Sequence, residues 1–174
     1  MTSGAADRRA AGGAVVLRPA RPDDLPALLE LVARCSPETL FRRFHAVVRS
    51  PPLGHLREAA AGATHHDARV VVADGELVAL ASLVGAVPAH GELAVLVEDG
   101  WQRRGIGMRL AHDLLVRACG RGVRRVDCHV LADNLAALAF CQAVGATIPP
   151  IRSAAVTAQI ALAAPARPFA ERTR

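Results

Sequence analysis

Residues 92–110 read ELAVLVEDGWQRRGIGMRL, and the change of periodicity inside this stretch decides the fold. Residues 93–97 are a short apolar run of strand type, which Gly100 breaks. Beyond it Ile106, Leu110, Ala111, Leu114, Leu115 and Ala118 recur at helical spacing. A buried strand therefore feeds a tight loop, Gln102-Arg103-Arg104-Gly105-Ile106-Gly107, that opens a helix. Backbone N–H groups at a helix start lack internal partners and lie at the positive end of the dipole. Two glycines let a ligand approach the main chain, and two arginines add full charge. These residues make a cradle for a pyrophosphate.

Other readings of the same loop can be weighed residue by residue. A P-loop needs a Lys, and the chain has none. A dinucleotide-binding G-x-G-x-x-G is half present: Gly105 and Gly107 fit, but Leu110 stands where the third small residue belongs. Asp127 lies about 20 residues on, where a ribose-binding acid would sit, so that alternative stays open. So does a strand-to-helix turn that binds nothing.

A Gln, two residues, Gly, one residue and Gly after an apolar strand resemble the acetyl-CoA-binding motif of the GNAT superfamily of N-acetyltransferases. Some thirty residues on, Asn134-Leu135-Ala136-Ala137-Leu138-Ala139-Phe140-Cys141 followed by Gly145 is similar to that family's N-x-x-A-x-x-F-Y…G helix. Two motifs in the right order, with a helix and a strand between them, are more specific than either alone. A third segment, Ser36-Pro37-Glu38-Thr39-Leu40-Phe41-Arg42-Arg43-Phe44, resembles the S-P-E-S-x-Y-x-R-F of a bacterial subset that includes protein-lysine acetyltransferases. The resemblance covers roughly residues 14 to 163. It implies an α/β (α+β) GNAT fold: a mixed, mostly antiparallel sheet, a splayed parallel pair at the cofactor site, and helices on both faces.

Composition agrees with a single domain. The chain has 174 residues, 52% of them hydrophobic but only 3% aromatic, with no Tyr, so Ala, Val and Leu must build the core. No apolar run reaches the ~20 residues that cross a bilayer, and residues 1–13 lack the apolar stretch of a secretory signal. A cytoplasmic protein without membrane partners is expected. Residues 1–13 read as a disordered lead, 14–163 as the domain and 164–174 as a flexible tail. Cys35, Cys119, Cys128 and Cys141 lack C-x-x-C spacing, so no metal is expected and the thiols should be reduced. The formal charge of +5 suits an anionic ligand such as a CoA phosphate, although a general bias toward Arg explains most of it. Four Phe and one Trp with no basic repeat speak against a nucleic-acid partner. Either a monomer or a homodimer is compatible with the sequence.

In chain order, residues 14–18 read as a strand ended by Pro19. Asp23 and Asp24 precede a helix with Leu25, Leu28, Leu29 and Val32 inward. Ser36 caps the next helix with Pro37 at its first position; Phe41 and Phe44 either pack in the core or border an acceptor pocket. Residues 53–61 form a short helix. Residues 70–73 and 77–84 pair across Asp74-Gly75 as a hairpin. His65-His66-Asp67 just before it reads as a solvated loop, and residues 88–91 as a turn. Residues 123–131 form a strand reached by a crossover, hence parallel to the strand at Glu92. Residues 151–162 supply one or two last strands.

The resemblance also assigns roles. Val95, Leu96 and Val97 would line the pantetheine and supply the oxyanion donor, and Gln102, Arg103, Arg104, Gly105, Ile106, Gly107 and Met108 would hold the pyrophosphate. Asn134 would contact the cofactor, or cap its helix, or both. An amine with a pKa near ~10.4 must lose a proton before it attacks a thioester. Glu92, at the start of the strand, is taken as the base ahead of His129, whose ordinary pKa suits the task better but whose commoner fate is a core histidine. Alternation puts Glu92, Ala94 and Leu96 on one face. Cys141 stands where the family has the Tyr that protonates the departing thiolate; a thiol near ~8.5 can still donate, although a small core residue is the plainer reading. The expected activity is acetyl transfer from acetyl-CoA to a primary amine of a small molecule or protein lysine, by direct attack in a ternary complex. The alternative is a degenerate domain that binds acyl-CoA as a sensor without turnover.

Overall fold

The computed structural model describes residues 14–62, 65–85 and 90–163. Six strands form one sheet in chain order: β1 (Val16–Pro19), β2 (His66–Ala73), β3 (Glu76–Val84), β4 (His90–Val97), β5 (Arg125–Leu131) and β6 (Ala155–Ala161). Every neighbouring pair is antiparallel except β4 and β5. Helices α1 (Leu25–Arg34), α2 (Pro37–Phe44) and α3 (Leu53–Ala61) follow β1; α4 (Ile106–Gly120) crosses from β4 to β5, and α5 (Leu135–Ala143) joins β5 to β6.

Burying one stripe of each helix requires a partner surface, and the sheet offers two faces. On one face Leu28, Leu31 and Leu56 pack with Val70, Leu80 and Leu96. On the other, Ile106, Leu110 and Leu114 of α4 pack with Val71, Leu83, Leu93 and Val126. β3 lies between these layers, which is why its sequence from Leu77 to Leu83 is a continuous buried run instead of an alternating one. The β2–β3 turn places Asp74 and Gly75 both at positive φ, 52° and 81°, the backbone that a two-residue hairpin turn requires.

The parallel pairing is short, and that brevity makes the site. β4 and β5 pair only from His90↔Arg125 to Glu92↔Asp127. β4 nevertheless continues to Val97 along β3, and β5 continues to Leu131 along β6. Beyond Glu92 the two strands diverge into a cleft whose inner backbone edges no strand covers, leaving N–H and C=O groups for another partner.

Some expectations change. His65-His66-Asp67 is not a solvated loop: the ladder with β3 runs back to His66↔Val84, and the His66 ring is wholly buried 5.2 Å from that of His55. Asp67 receives Arg117 at 3.1 Å and Arg121 at 2.9 Å, pinning α4 to β2. Residues 151–162 supply one strand, within the one or two expected, with an isolated bridge at Thr147↔Gln159. In α1 the deeply buried side chains are Leu28, Leu31 and Val32, so Leu31 joins the expected inward face, while Leu25 and Leu29 are only partly buried. The lead (1–13), the tail (164–174) and residues 88–89 of the expected turn lie outside the described residues, while its last two residues, His90 and Gly91, belong to β4. No helix among those described is long and apolar enough to cross a membrane.

Candidate functional site

The cradle takes shape between the end of β4 and the start of α4. Residues Asp99–Trp101 make a single 3-10 turn, Arg103 adopts φ 58°, and Gly105 adopts φ 76° as the residue preceding α4. No side chain caps α4, so its first N–H groups are unclaimed at the head of a 15-residue dipole. Left-handed residues within such a loop turn successive N–H groups to one side, which makes an anion nest. Gly107 has an ordinary φ; its place is needed for another reason. A Cβ there would lie 3.7 Å from Phe140 and Val95 and 4.0 Å from Val97, directed at the slot between the two strands. Of the two loop arginines, Arg103 lines the slot, while Arg104 turns aside and stacks over Trp101 at 4.8 Å.

The slot continues into a cavity of about 630 Å³. Val95, Leu96 and Val97 form one wall, together with Gln102 and the start of α4 through Met108. Cys128, His129 and Val130 of β5 form the opposite wall with Asn134, Phe140 and Cys141 of α5. The third side is α2, through Thr39, Arg42, Arg43 and Phe44. The size is within the range of small-molecule and cofactor sites. Apart from Arg104, the expected cofactor-binding residues all line this cavity.

Alternation divides its chemistry between the two faces of the sheet. Glu92, Ala94 and Leu96 share the face of α1–α3, as expected, and His129 joins them from β5. The Glu92 carboxylate and His129 Nε2 are 3.8 Å apart, both accessible, and His129 Nδ1 lies 3.0 Å from Thr157 Oγ1 on β6. His129 is therefore no core histidine. Its ring is oriented by Thr157 and its other nitrogen faces the carboxylate, so either group can take a proton from a molecule in the cleft.

Cys128 and Cys141 lie on the opposite face, both buried in the core under α4 and α5. Their thiols share a hydrogen bond, which together with burial holds Cys128 protonated; the same bond favours the thiolate at Cys141. The sequence analysis overlooked Cys128 as a cavity residue. The signal was its alternation with Val126 and Val130, which aims all three toward α5. Asn134 caps α5 as expected, accepting from Ala137 N–H at 3.1 Å, and it also lines the cavity.

Helix α2 is fastened to the cradle by a group that the sequence analysis missed. Ser36 Oγ caps α2 by accepting from Thr39 N–H at 3.1 Å. Asp99 then accepts from Ser36 N–H at 2.8 Å, Ser36 Oγ at 2.7 Å and Thr39 Oγ1 at 2.8 Å. Burial opposes ionisation of Asp99, but these bonds outweigh it and hold the carboxyl below its ordinary value. The Gln102 amide donates to Thr39 Oγ1 at 3.1 Å and to the Val97 carbonyl at 3.0 Å, so its side chain ties helix to strand. Leu40 is the buried anchor of α2; Phe41 is exposed and Phe44 lines the cavity, so neither aromatic is a plain core residue. Arg42 pairs with Glu38 at 2.6 Å and reaches Asn134 Oδ1 at 3.3 Å, bridging α2 to α5.

Comparison with known proteins agrees with this arrangement. The sequence profile of the acetyltransferase (GNAT) family matches residues 25–146. Acetyltransferase Pat of Mycolicibacterium smegmatis is 36% identical over 136 residues, which are 75% of this chain but 40% of that protein; the chain thus spans well under half of its relative. The GNAT domain of Streptomyces lividans PAT superposes with a TM-score of 0.78 at 23% identity, covering 87% of this chain and 92% of that one. The yncA protein of Salmonella typhimurium, solved with its cofactor acetyl-CoA, superposes with a TM-score of 0.70 at 18% identity, covering 90% of this chain and 99% of that one. Since the family profile spans well over half of its residues, the chain belongs to the GNAT acetyltransferase family.

Proposed function

We propose that the chain is an acetyl-CoA-dependent N-acetyltransferase that transfers the acetyl group directly to a primary amine, of a small molecule or of a protein lysine, within a ternary complex. One observation carries this reading. The cleft that begins where β4 and β5 stop pairing has an anion cradle at one end and the Glu92–His129 pair at the other. The α4 N–H groups and Arg103 hold the pyrophosphate of CoA, and the free edge of Val95–Val97 takes the pantetheine amides. The acceptor enters from the α2 side.

The amine nitrogen attacks the thioester carbonyl, and its proton passes to Glu92, with His129 as the neighbouring acceptor. A backbone N–H of β4 stabilises the oxyanion. The C–S bond then breaks, and the thiolate takes a proton from Cys141 or from water. Two further fold relatives, the ribosomal-protein-S18-alanine N-acetyltransferase of Escherichia coli and the spermidine N-acetyltransferase of Vibrio cholerae, suggest protein and polyamine acceptors respectively. A binding-only domain has less support, because it would not need two proton acceptors placed 3.8 Å apart at the cleft. Steady-state release of CoA thiol with a panel of primary amines tests the proposal. Tight CoA binding with no thiol release from any amine would favour the sensor instead.

A further inference from the structure

Arg43 is the cavity residue that neither the cofactor cradle nor the proton transfer uses. It lies on α2, partly buried, and lines the same end of the cavity as Glu92. Withdrawing a guanidinium from water is unfavourable unless an anion compensates. Most comparable arginines of the fold have one: Arg18 pairs with Asp24, Arg34 with Glu98, Arg42 with Glu38 and Arg69 with Asp113. Among the described residues Arg43 has no carboxylate within ion-pair distance. Its Nη2 donates to His55 Nε2 at 3.1 Å, and its Cζ lies 4.7 Å above the Phe44 ring. His55 does not compensate the charge, because it must be neutral to accept that bond. Burial and the adjacent Arg43 keep it so, pulling its pKa down to about 4. Desolvation pulls Arg43 itself down to about 10, opposed only by the field of Glu92. Near neutral pH it still carries its full charge.

The cavity therefore presents a fixed cation and a single carboxylate among its lining residues, with Arg42, His45 and His129 lining it as well. A polyamine would bring more positive charge into that field. We infer that the acceptor carries a carboxylate close to its reacting amine and that Arg43 is the residue that binds it. The inference rests on the acceptor reading of the cavity given above. A planar guanidinium matches a carboxylate with two parallel bonds, which a lysine in its place could not reproduce. The carboxylate could belong to a free amino acid or to an acidic residue beside a peptide amine.

Binding and turnover are measured separately. With CoA present, N-acetylalanine and its carboxamide, and acetyl-lysine peptides flanked by Glu or by Gln, are titrated calorimetrically into the full chain. The carboxylate of one matched pair should bind roughly tenfold tighter or more, and the pair that shows it identifies the source. In Arg43→Gln that ratio should fall to about one; in Arg43→Lys it should be intermediate, with thermal melting confirming that both variants fold. Equal affinities within both pairs, or a ratio that survives in Arg43→Gln, would overturn the inference. So would a uniform loss of affinity in Arg43→Gln with the ratio intact, since that is what a residue acting only through Glu92 would cause. Thiol release with the corresponding free amines reports on the catalytic reading alone: failure there with a preserved carboxylate preference would sink the enzyme and leave the anion subsite.

Discussion

Glu92 Oε2 and His129 Nε2 stand 3.8 Å apart at the mouth of the cleft, on neighbouring strands that have just stopped pairing. If Glu92 takes the amine proton, Glu92→Gln should lower kcat by roughly 10²–10⁴-fold while CoA affinity holds. His129→Gln should do much less. The reverse ranking in steady-state assays would transfer the role to His129, with Thr157 as the residue that orients it.

Cys141 is buried beside Cys128, at the position where the resemblance leads one to expect a tyrosine. Cys141→Tyr has little room, so it should cost about 1–3 kcal/mol of stability in chemical denaturation, with no gain in rate. Cys141→Ala should leave turnover nearly unchanged, because water can protonate the departing thiolate. An intact-mass measurement after mixing with acetyl-CoA alone should show no acyl adduct. A stable adduct on Cys141 would point to ping-pong transfer.

Acid should weaken the α2–α3 side of the molecule before it titrates the carboxylates. Burial, aided by Arg43 and His66, depresses the pKa of His55 from 6.5 to about 4, so below 6.5 the unfolded chain binds a proton that the folded chain refuses. The stability linked to the neutral ring is present above pH 6.5 and is lost as pH falls toward 4. The difference in thermal midpoint between pH 7 and pH 4.5 should be smaller in His55→Gln than in the parent. An equal difference would mean that His55 titrates freely.

What could be read from the sequence was local. Gly105 and Gly107 announce the cradle because glycine spacing after an apolar run is chemistry on one stretch of chain. The facing of Glu92 and His129 was half legible: alternation fixes which way each points, but where a parallel ladder stops depends on packing from both faces. His66 was misread because its polar neighbours hide a strand whose start is set by its partner, Val84. Asp99 carried no signal at all, since its three bonds go to a helix some sixty residues away. Arg43 belongs to a segment read as resembling a family motif, but its lack of a partner carboxylate among the described residues shows only in the fold.

The central claim is that the opened β4–β5 cleft holds CoA with its pyrophosphate on the α4 N-terminus. Gly107 tests it most directly, since a methyl there meets its neighbours at ordinary contact distance and leaves the empty fold intact, whereas Gly105 is constrained by its positive φ. Calorimetric titration of CoA into the parent, Gly107→Ala and Gly107→Val should show affinity falling stepwise, by roughly tenfold or more at Val, with melting temperatures little changed. Unaltered CoA affinity in a folded Gly107→Val would contradict the account, because the cofactor would then lie somewhere else.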